Sequence, residues 1–169
     1  ADCVCGEAAA LVLVLAAVTS GACRVSVVPR PAPAPSPAAA PSGEVEFLHP
    51  FGAPTRPFSP AVRVGHLLYL AGQIGTDATA SGAVVSGGIE AETRQTLNNI
   101  KRTLEAVGSS MERVVKCTVF MADMKEWDAM NGIYRTYFKA PNYPARSALG
   151  ASGLALNARV EIECIAVAK

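Results

Sequence analysis

The sequence predicts an α+β domain with one mixed sheet and two helices, and the order of its periodic segments carries that prediction. Between Glu44 and Lys169 the segments follow as strand, strand, helix, strand, helix, strand. Apolar side chains alternate onto both faces of the strands, yet two helices can cover only one face of the sheet. An uncovered apolar face favours self-association, so we expect a homo-oligomer.

Residues 1–43 differ in composition from the remainder. An apolar run spans Ala8 to Ala22, and a proline- and alanine-rich tract spans Pro29 to Gly43. The run of 15 residues is too short for a transmembrane helix and suits the apolar region of a signal peptide. We expect residues 1–43 to be disordered or processed, and residues 44–169 to form the folded domain.

The ending of the apolar run, TSGAC, resembles a bacterial lipoprotein signal. In that interpretation Cys23 becomes the lipidated residue, and the protein is exported or anchored in the bacterial envelope. The alternative is that this extension carries no targeting signal and that the protein is cytoplasmic.

Charge and cysteine content exclude several function classes. The net charge is +1, and residues 44–169 hold 13 basic against 12 acidic residues with no basic cluster, which disfavours nucleic-acid binding. Cys3 and Cys5 have no second pair of ligands, so no metal site is expected. Cys117 and Cys164 lie in apolar segments, where we expect reduced, buried thiols.

The segment from Ala61 to Gly75 predicts two strands broken at Gly65. In the second strand, alternation predicts one face with Leu67, Tyr69, Ala71 and Gln73, and another with Leu68, Leu70 and Ile74. Apolar residues on both faces indicate a central strand that is covered twice. Gly72 and Gly75 would let another group approach the backbone closely. A loop follows, with a short strand at Val84 and Val85.

Two helices and two further strands complete the domain. The first helix begins near Ile89, ends at Gly108 and has an apolar stripe of Thr93, Leu97, Ile100, Leu104 and Val107. Strands are predicted at Arg113 to Met121 and at Arg159 to Ala168. Asp123 and Glu126 form a plausible N-cap and capping box for the second helix, whose inward residues are Trp127, Met130, Ile133 or Tyr134, and Tyr137.

The sequence contains few of the motifs that are known to support catalysis. His49 and His66 have no partner at a suggestive spacing, and we expect both at the surface. The sequence holds no H-E-x-x-H, no phosphate loop and no G-x-G-x-x-G that opens a helix, so metal, redox and nucleotide cofactors are not indicated. The remaining candidates are guanidinium and carboxylate groups.

The stretch YPARSALG, from Tyr143 to Gly150, contains the first candidate. Pro144 restricts its own φ and favours an extended Tyr143, so the chain reaches Arg146 stiffly as a strand begins. A guanidinium held in this way could bind a carboxylate through two parallel hydrogen bonds. The alternative is a structural ion pair.

The last strand contains the second candidate. Glu161 and Glu163 share one face with Ile165 and Val167. A carboxylate at the rim of an apolar surface is partly desolvated, which suits it to activating a water. The alternative is a pair of solvated acids, or an ion-pair partner for Arg146 or Arg159.

Five collinear blocks resemble the RidA/YjgF family of enamine and imine deaminases, also named the endoribonuclease L-PSP family. They are AGQIG, QTLNNIKRTLEAVG, VVKCTVFMADM, YPARSALG and VEIECIAVA, and the resemblance extends from Pro57 to the C-terminus. It implies a chorismate-mutase-like fold that forms a homotrimer with active sites between subunits. It also implies hydrolysis of 2-iminoacids, such as 2-iminopropanoate and 2-iminobutanoate, to 2-oxoacids and ammonia without a metal or organic cofactor.

The resemblance implies roles for individual residues. Arg146 would bind the substrate carboxylate, Glu161 would activate the water, and the backbone of Gly72 and the side chain of Asn131 would face the substrate. Phe58, also at the substrate, stands where many members have tyrosine.

Ala71 and Ala148 stand where many members have serine and cysteine. The pocket is then more apolar than is usual, which favours a larger or more hydrophobic iminoacid.

Two other functions remain open at this level. One is a regulatory or non-catalytic module that binds a small carboxylate, and the other is a ribonuclease or translation inhibitor on the same fold. The presence of Arg146 favours catalysis over the first, and the near-neutral charge disfavours the second.

Overall fold

The computed structural model describes residues 43–53, 55–77 and 82–169, which form seven strands and two α-helices. The strands are β1 (Val45–Leu48), β2 (Ala61–Val64), β3 (Leu67–Leu70), β4 (Gln73–Ile74), β5 (Val114–Met121), β6 (Ala145–Gly150) and β7 (Val160–Val167). The helices are α1 (Gly88–Ala106) and α2 (Trp127–Tyr134). The apolar run, the proline-rich tract and Cys23 fall on residues 1–42, outside the described residues.

All seven strands belong to one mixed sheet in the order β1-β2-β3-β7-β5-β6, and β4 also pairs with β7. Each pairing is antiparallel except that of β5 with β6, which is parallel. Since β4 and β5 both run antiparallel to β7, they run in the same direction as each other. Parallel strands need a crossover connection, and α1 and α2 supply the two crossovers. The predicted class is therefore confirmed.

One face of the sheet and the two helices enclose the core. The predicted stripe of α1 is buried, with Thr93, Leu97, Ile100 and Leu104 fully so. These side chains pack against alternate residues of the strands, among them Leu68, Leu70, Val119, Met121, Val160 and Ile162. Asp123 caps the 3-10 turn Met124–Glu126 that leads directly into α2, because its Oδ1 accepts from the Lys125 N–H at 2.9 Å, whereas α2 itself has no side-chain cap. Glu126 does not complete a capping box and pairs with Arg159 instead.

The opposite face of the sheet is open and carries apolar residues. Phe47, Val62, Tyr69 and Ile165 lie side by side across four strands. Phe47 is 65% exposed and Tyr69 is 42% exposed. The expectation that β3 is covered on both faces is wrong for a single chain, because both helices lie on the other side. The predicted uncovered face is confirmed.

A bulge between β3 and β4 changes the predicted alternation. Three residues lie between Tyr69 and Gln73, whereas only two lie between their partners Ile165 and Ile162 on β7. An extra residue on one strand of a pair reverses the side-chain faces beyond it. Gln73 therefore lies opposite buried Ile162, and Ile74 lies opposite Glu161. The faces that alternation along the sequence predicts for Gln73 and Ile74 are therefore wrong.

The prediction that Cys117 and Cys164 are reduced is also wrong, because they form a disulfide bond. They lie directly opposite each other on β5 and β7, with their Cα atoms 4.1 Å apart, and both side chains are buried on the helix-covered face. The bond joins residues 47 positions apart. A crosslink across a loop of that length restricts the unfolded chain and contributes ~4 kcal/mol in the chain-entropy model.

Removing this bond should lower stability by an amount of that order. We expect reductant to lower the denaturation midpoint of the wild-type protein and to leave that of a Cys117→Ala/Cys164→Ala variant unchanged, since the variant lacks the bond that crosslinks β5 and β7. Urea unfolding with and without reductant measures both. Non-reduced peptide mapping that finds no linkage between the two cysteines would contradict the assignment.

Candidate active site

Arg146 lies on β6, an edge strand, and its side chain extends over α2. Its Nη1 donates to Asn131 Oδ1 at 2.8 Å. Its guanidinium carbon lies 4.9 Å from the centroid of the Trp127 ring and 4.5 Å from that of Tyr134. Trp127, Asn131 and Tyr134 are spaced four and three residues apart, so they share one face of α2. An amide and two rings thus fix the orientation of the guanidinium.

No acidic side chain within residues 43–53, 55–77 and 82–169 forms an ion pair with Arg146. The alternative of a structural ion pair is therefore not what this part of the chain shows. Cation–π contacts and a neutral amide hold the group without neutralising it. Its remaining N–H donors are available to a planar anion, because a guanidinium carries five donors in a fixed plane.

Tyr134 strengthens this environment. Its side chain is 4% exposed, and burial raises the pKa of its phenol to about 12, although the positive charge of Arg146 opposes the shift. The phenol is therefore neutral at physiological pH, and its contact with Arg146 is a cation–π contact. Its hydroxyl has no hydrogen-bond partner among the described residues.

Sequence reasoning missed the roles of Trp127 and Tyr134 beside Arg146. The sequence places Trp127 and either Ile133 or Tyr134 on the inward face of α2; the structure packs Trp127 against the core and buries Tyr134. The signal that could have found them is the position of Asn131 on the same face, since the resemblance assigns Asn131 and Arg146 to one cleft.

Glu161 occupies a different part of the sheet. It lies on β7 between Val160 and Ile162, which are fully buried on the helix side, so its own side chain extends from the open face. A Cβ atom built on Gly72 would lie 2.1 Å from Glu161 Oε1. Only glycine at position 72 therefore allows the carboxylate to lie so close to the backbone. The predicted close approach at Gly72 is confirmed, and the approaching group is Glu161.

Glu161 forms no ion pair with Arg146 or Arg159, the two arginines that the sequence suggested as partners. Arg159 instead contacts Glu126 and Glu92. Glu161 is half-buried, and its carboxylate makes no hydrogen bond or ion pair with the residues that the structure describes.

The two halves of the predicted site do not meet within one chain. Arg146 extends over the helix-covered face from β6, and Glu161 extends from the open face of β7. β5 lies between these strands, so they are about 10 Å apart. The structure thus joins Asn131 to Arg146 and Gly72 to Glu161, and it keeps the two pairs apart.

The remaining predicted positions divide between these halves. Ala148 lies two residues from Arg146 on the same strand and packs against the core. Ala71 lies in the bulge and donates its N–H to Pro60 O at 3.1 Å. Phe58 is 49% exposed and lines a groove that also contains Gln73, so it belongs on the Gly72 side.

His49 and His66 are both exposed, as expected. Across the described ranges, no group of three or more His, Cys, Asp or Glu side chains is arranged to hold a metal ion. Neither of the two described α-helices combines the length and apolarity needed to cross a membrane.

Known proteins resemble this chain in sequence and in fold. Residues 50–168 match the family model described as Endoribonuclease L-PSP. The human 2-iminobutanoate/2-iminopropanoate deaminase is 43% identical over 111 residues, which is 66% of this chain and 80% of that protein. A crystal structure of RidA from the Antarctic bacterium Psychrobacter sp. has a TM-score of 0.63 at 34% identity, with 68% of this chain and 91% of that chain covered.

A crystal structure of E. coli TdcF with bound serine also has a TM-score of 0.63, at 28% identity, with 69% of this chain and 91% of that chain covered. The chain therefore belongs to the Endoribonuclease L-PSP family, which is the RidA/YjgF family that its sequence resembles.

Proposed function

We propose that this protein is a deaminase that hydrolyses reactive 2-iminoacids to 2-oxoacids and ammonia. One observation carries the proposal: the guanidinium of Arg146 is fixed by Asn131, Trp127 and Tyr134 but is paired with no described acid. A fixed, unneutralised guanidinium suits the carboxylate that every 2-iminoacid carries. The names of the human relative and of the serine-bound TdcF structure support the same ligand class.

Arg146 would bind the substrate by donating two parallel N–H hydrogen bonds to its carboxylate. Its charge is held over the neutral rings of Trp127 and Tyr134, and no carboxylate among the described residues forms an ion pair with it. This contact fixes the position of the imine carbon before any bond changes. Positioning of this kind lowers the barrier to attack by a water that is held nearby.

Glu161 would act on that water. As the new C–O bond forms, the carboxylate of Glu161 takes a proton from the water, and the π electrons of the C=N bond move to nitrogen. The proton then passes from Glu161 to the nitrogen of the carbinolamine. The hydroxyl proton is then carried by Glu161 to the same nitrogen, and as the C=O bond forms the C–N bond breaks and ammonia leaves. One water is consumed, and no electrons enter or leave.

Arg146 and Glu161 would meet between two copies of the chain. Within one chain they extend from opposite faces of the sheet, so a site that contains both needs Arg146 of one copy and Glu161 of another. The open apolar face supplies a surface for such an assembly, because covering it removes exposed side chains such as Phe47 and Tyr69 from water. We propose a homotrimer, the state that the family resemblance implies.

Phe58, Ala71 and Ala148 would set the substrate range. Each replaces a polar residue that is common in the family, and Phe58 and Ala148 line opposite halves of the shared site. A more apolar cleft favours iminoacids with larger aliphatic side chains.

Substitution of Arg146 tests the proposed reaction. In a coupled assay that generates iminoacids with an amino-acid oxidase, we expect Arg146→Ala to lower kcat/KM by about 100-fold or more, because two charge-assisted hydrogen bonds are lost. The matched control is Arg94→Ala, which removes an exposed arginine of α1. Wild-type protein that removes imine no faster than buffer would overturn the deaminase proposal and would leave a carboxylate-binding module.

The same assay tests the substrate range. We expect faster turnover of the leucine-derived imine than of 2-iminopropanoate, and equal rates would contradict the apolar cleft.

Gly72→Ala tests the position of Glu161. The added Cβ would overlap Oε1, so we expect the carboxylate to move and kcat to fall by roughly 100-fold, while the fold survives because the displaced group is the end of a flexible side chain. The control is Gly132→Ala on α2, whose Cβ would meet nothing within 4 Å. That change should leave kcat unaltered. Steady-state kinetics and thermal unfolding measure both variants, and an active Gly72→Ala protein would contradict the role of Glu161.

A further inference from the structure

Asn131 is followed by Gly132, and this is the one Asn-Gly pair in the sequence. An asparagine that precedes glycine is prone to deamidation, because glycine has no Cβ atom to keep its backbone nitrogen away from the side-chain amide. The pair lies in the middle of α2, and Asn131 is the residue that accepts a hydrogen bond from Arg146. A change of charge at Asn131 would therefore act directly on the guanidinium proposed to bind the substrate.

The surroundings of Gly132 leave space for the reaction. A Cβ atom built on Gly132 would meet nothing within 4 Å outside the backbone of its own helix, and the residue is exposed. Asn131 is half-buried. Hydroxide from the solvent can therefore reach the backbone N–H of Gly132 once its helical hydrogen bond opens.

The helix that protects this nitrogen is short. In an α-helix the N–H of Gly132 donates to the carbonyl oxygen of Asp128, four residues earlier, and this bond keeps the nitrogen from attacking the amide. α2 has eight residues, no side-chain cap at its N-terminus and a glycine in its interior, all of which favour local opening. Buried Met130 and Tyr134 hold its inward face, so the opening is rare and the reaction is slow.

Arg146 makes the side-chain amide of Asn131 more reactive. Its Nη1 donates to Asn131 Oδ1 at 2.8 Å, and the rings of Trp127 and Tyr134 hold the guanidinium in this place. Attack on the amide carbon moves negative charge onto the same Oδ1, and a cationic donor stabilises that charge. The contact that fixes the guanidinium therefore also favours loss of the amide.

We propose that Asn131 is a site of spontaneous deamidation, and that its conversion to aspartate or isoaspartate weakens the binding of carboxylates to Arg146. The effect on binding rests on the proposed function of Arg146, whereas the modification itself does not.

The conversion consumes one water and releases one ammonia. The Gly132 nitrogen gives its proton to hydroxide and bonds to Cγ of Asn131. The Cγ–Nδ2 bond then breaks, and Nδ2 takes a proton from water and leaves as ammonia. A water next opens the five-membered imide, and the Gly132 nitrogen regains a proton. Cleavage of its bond to Cγ gives aspartate, whereas cleavage of its bond to the main-chain carbonyl carbon of residue 131 gives isoaspartate.

Either product places a carboxylate where the neutral amide of Asn131 was. The new carboxylate can accept two parallel hydrogen bonds from Arg146 and neutralises its charge. A substrate carboxylate must then displace a partner that is permanently attached to the site. Isoaspartate also adds a methylene to the backbone of α2, which disturbs the helical spacing of Trp127 and Tyr134.

Peptide mapping by mass spectrometry tests the modification. Wild-type and Gly132→Ala proteins are kept at mildly alkaline pH, sampled over days to weeks, and digested at acidic pH so that no asparagine converts during preparation. We expect the peptide that contains residue 131 to gain the mass difference between an amide and an acid in the wild type only, because the alanine Cβ obstructs the attack and alanine favours the helix. Equal conversion in both proteins, or none in the wild type, would overturn the inference.

Calorimetric titration with 2-oxobutanoate tests the effect on Arg146. We expect converted wild-type protein and fresh Asn131→Asp protein to bind this probe at least about 10-fold more weakly than fresh wild type, whereas Gly132→Ala kept under the same conditions should bind it as fresh wild type does. Circular dichroism checks that each protein is folded. Equal binding before and after conversion, or no binding to fresh wild type, would overturn the effect. Neither experiment measures imine turnover, so failure of the deaminase proposal is distinguishable from failure of this inference.

Discussion

The alternation of side chains along β7 is the constraint on which both the core and the candidate site depend. Strands β3, β4 and β5 all pair with β7, so its register fixes theirs. Val160, Ile162 and Cys164 face the helices, which leaves Glu161 on the open side. A shift of one residue would bury Glu161 and Glu163 and expose Val160, Ile162 and Cys164. No new contact could offset the free energy lost by burying two carboxylates and exposing these apolar side chains. The same register brings Cys164 opposite Cys117.

This constraint also separates the proposed catalytic groups. The face that carries Glu161 is the face that the helices leave open, and the guanidinium of Arg146 is held on the other side by α2. In the proposed assembly, completion of the site and burial of the open face would be one event. The hydrophobic gain on assembly would stabilise the oligomer and bring the carboxylate of Glu161 to the substrate held by Arg146, so we expect a single chain to be inactive.

Local periodicity sufficed for features that depend on a single segment. The stripe of α1, the strand at Arg146, the cap at Asp123 and the close approach at Gly72 were all predictable. Features that depend on which strands are neighbours were not. Cys117 and Cys164 are far apart in sequence, and their pairing requires the β5–β7 register. One extra residue in the bulge places the side chains of Gln73 and Ile74 on the faces of the sheet opposite to those predicted. On α2 the inward position of Trp127 was predictable, but periodicity left Ile133 and Tyr134 as alternatives and does not identify Arg146 as a partner of Trp127 and Tyr134.

Mixing two inactive variants tests the central claim that each site takes Arg146 and Glu161 from different copies. Arg146→Ala and Glu161→Gln proteins are unfolded together in equal amounts, refolded, and assayed for imine hydrolysis. In a cyclic trimer every mixed assembly regains one intact site, so the account predicts recovery of roughly a quarter of wild-type activity. An Arg146→Ala/Glu161→Gln chain mixed with Arg146→Ala should recover none. If the first mixture stays as inactive as its parents although mass spectrometry shows mixed oligomers, the site lies within one chain and the account is wrong.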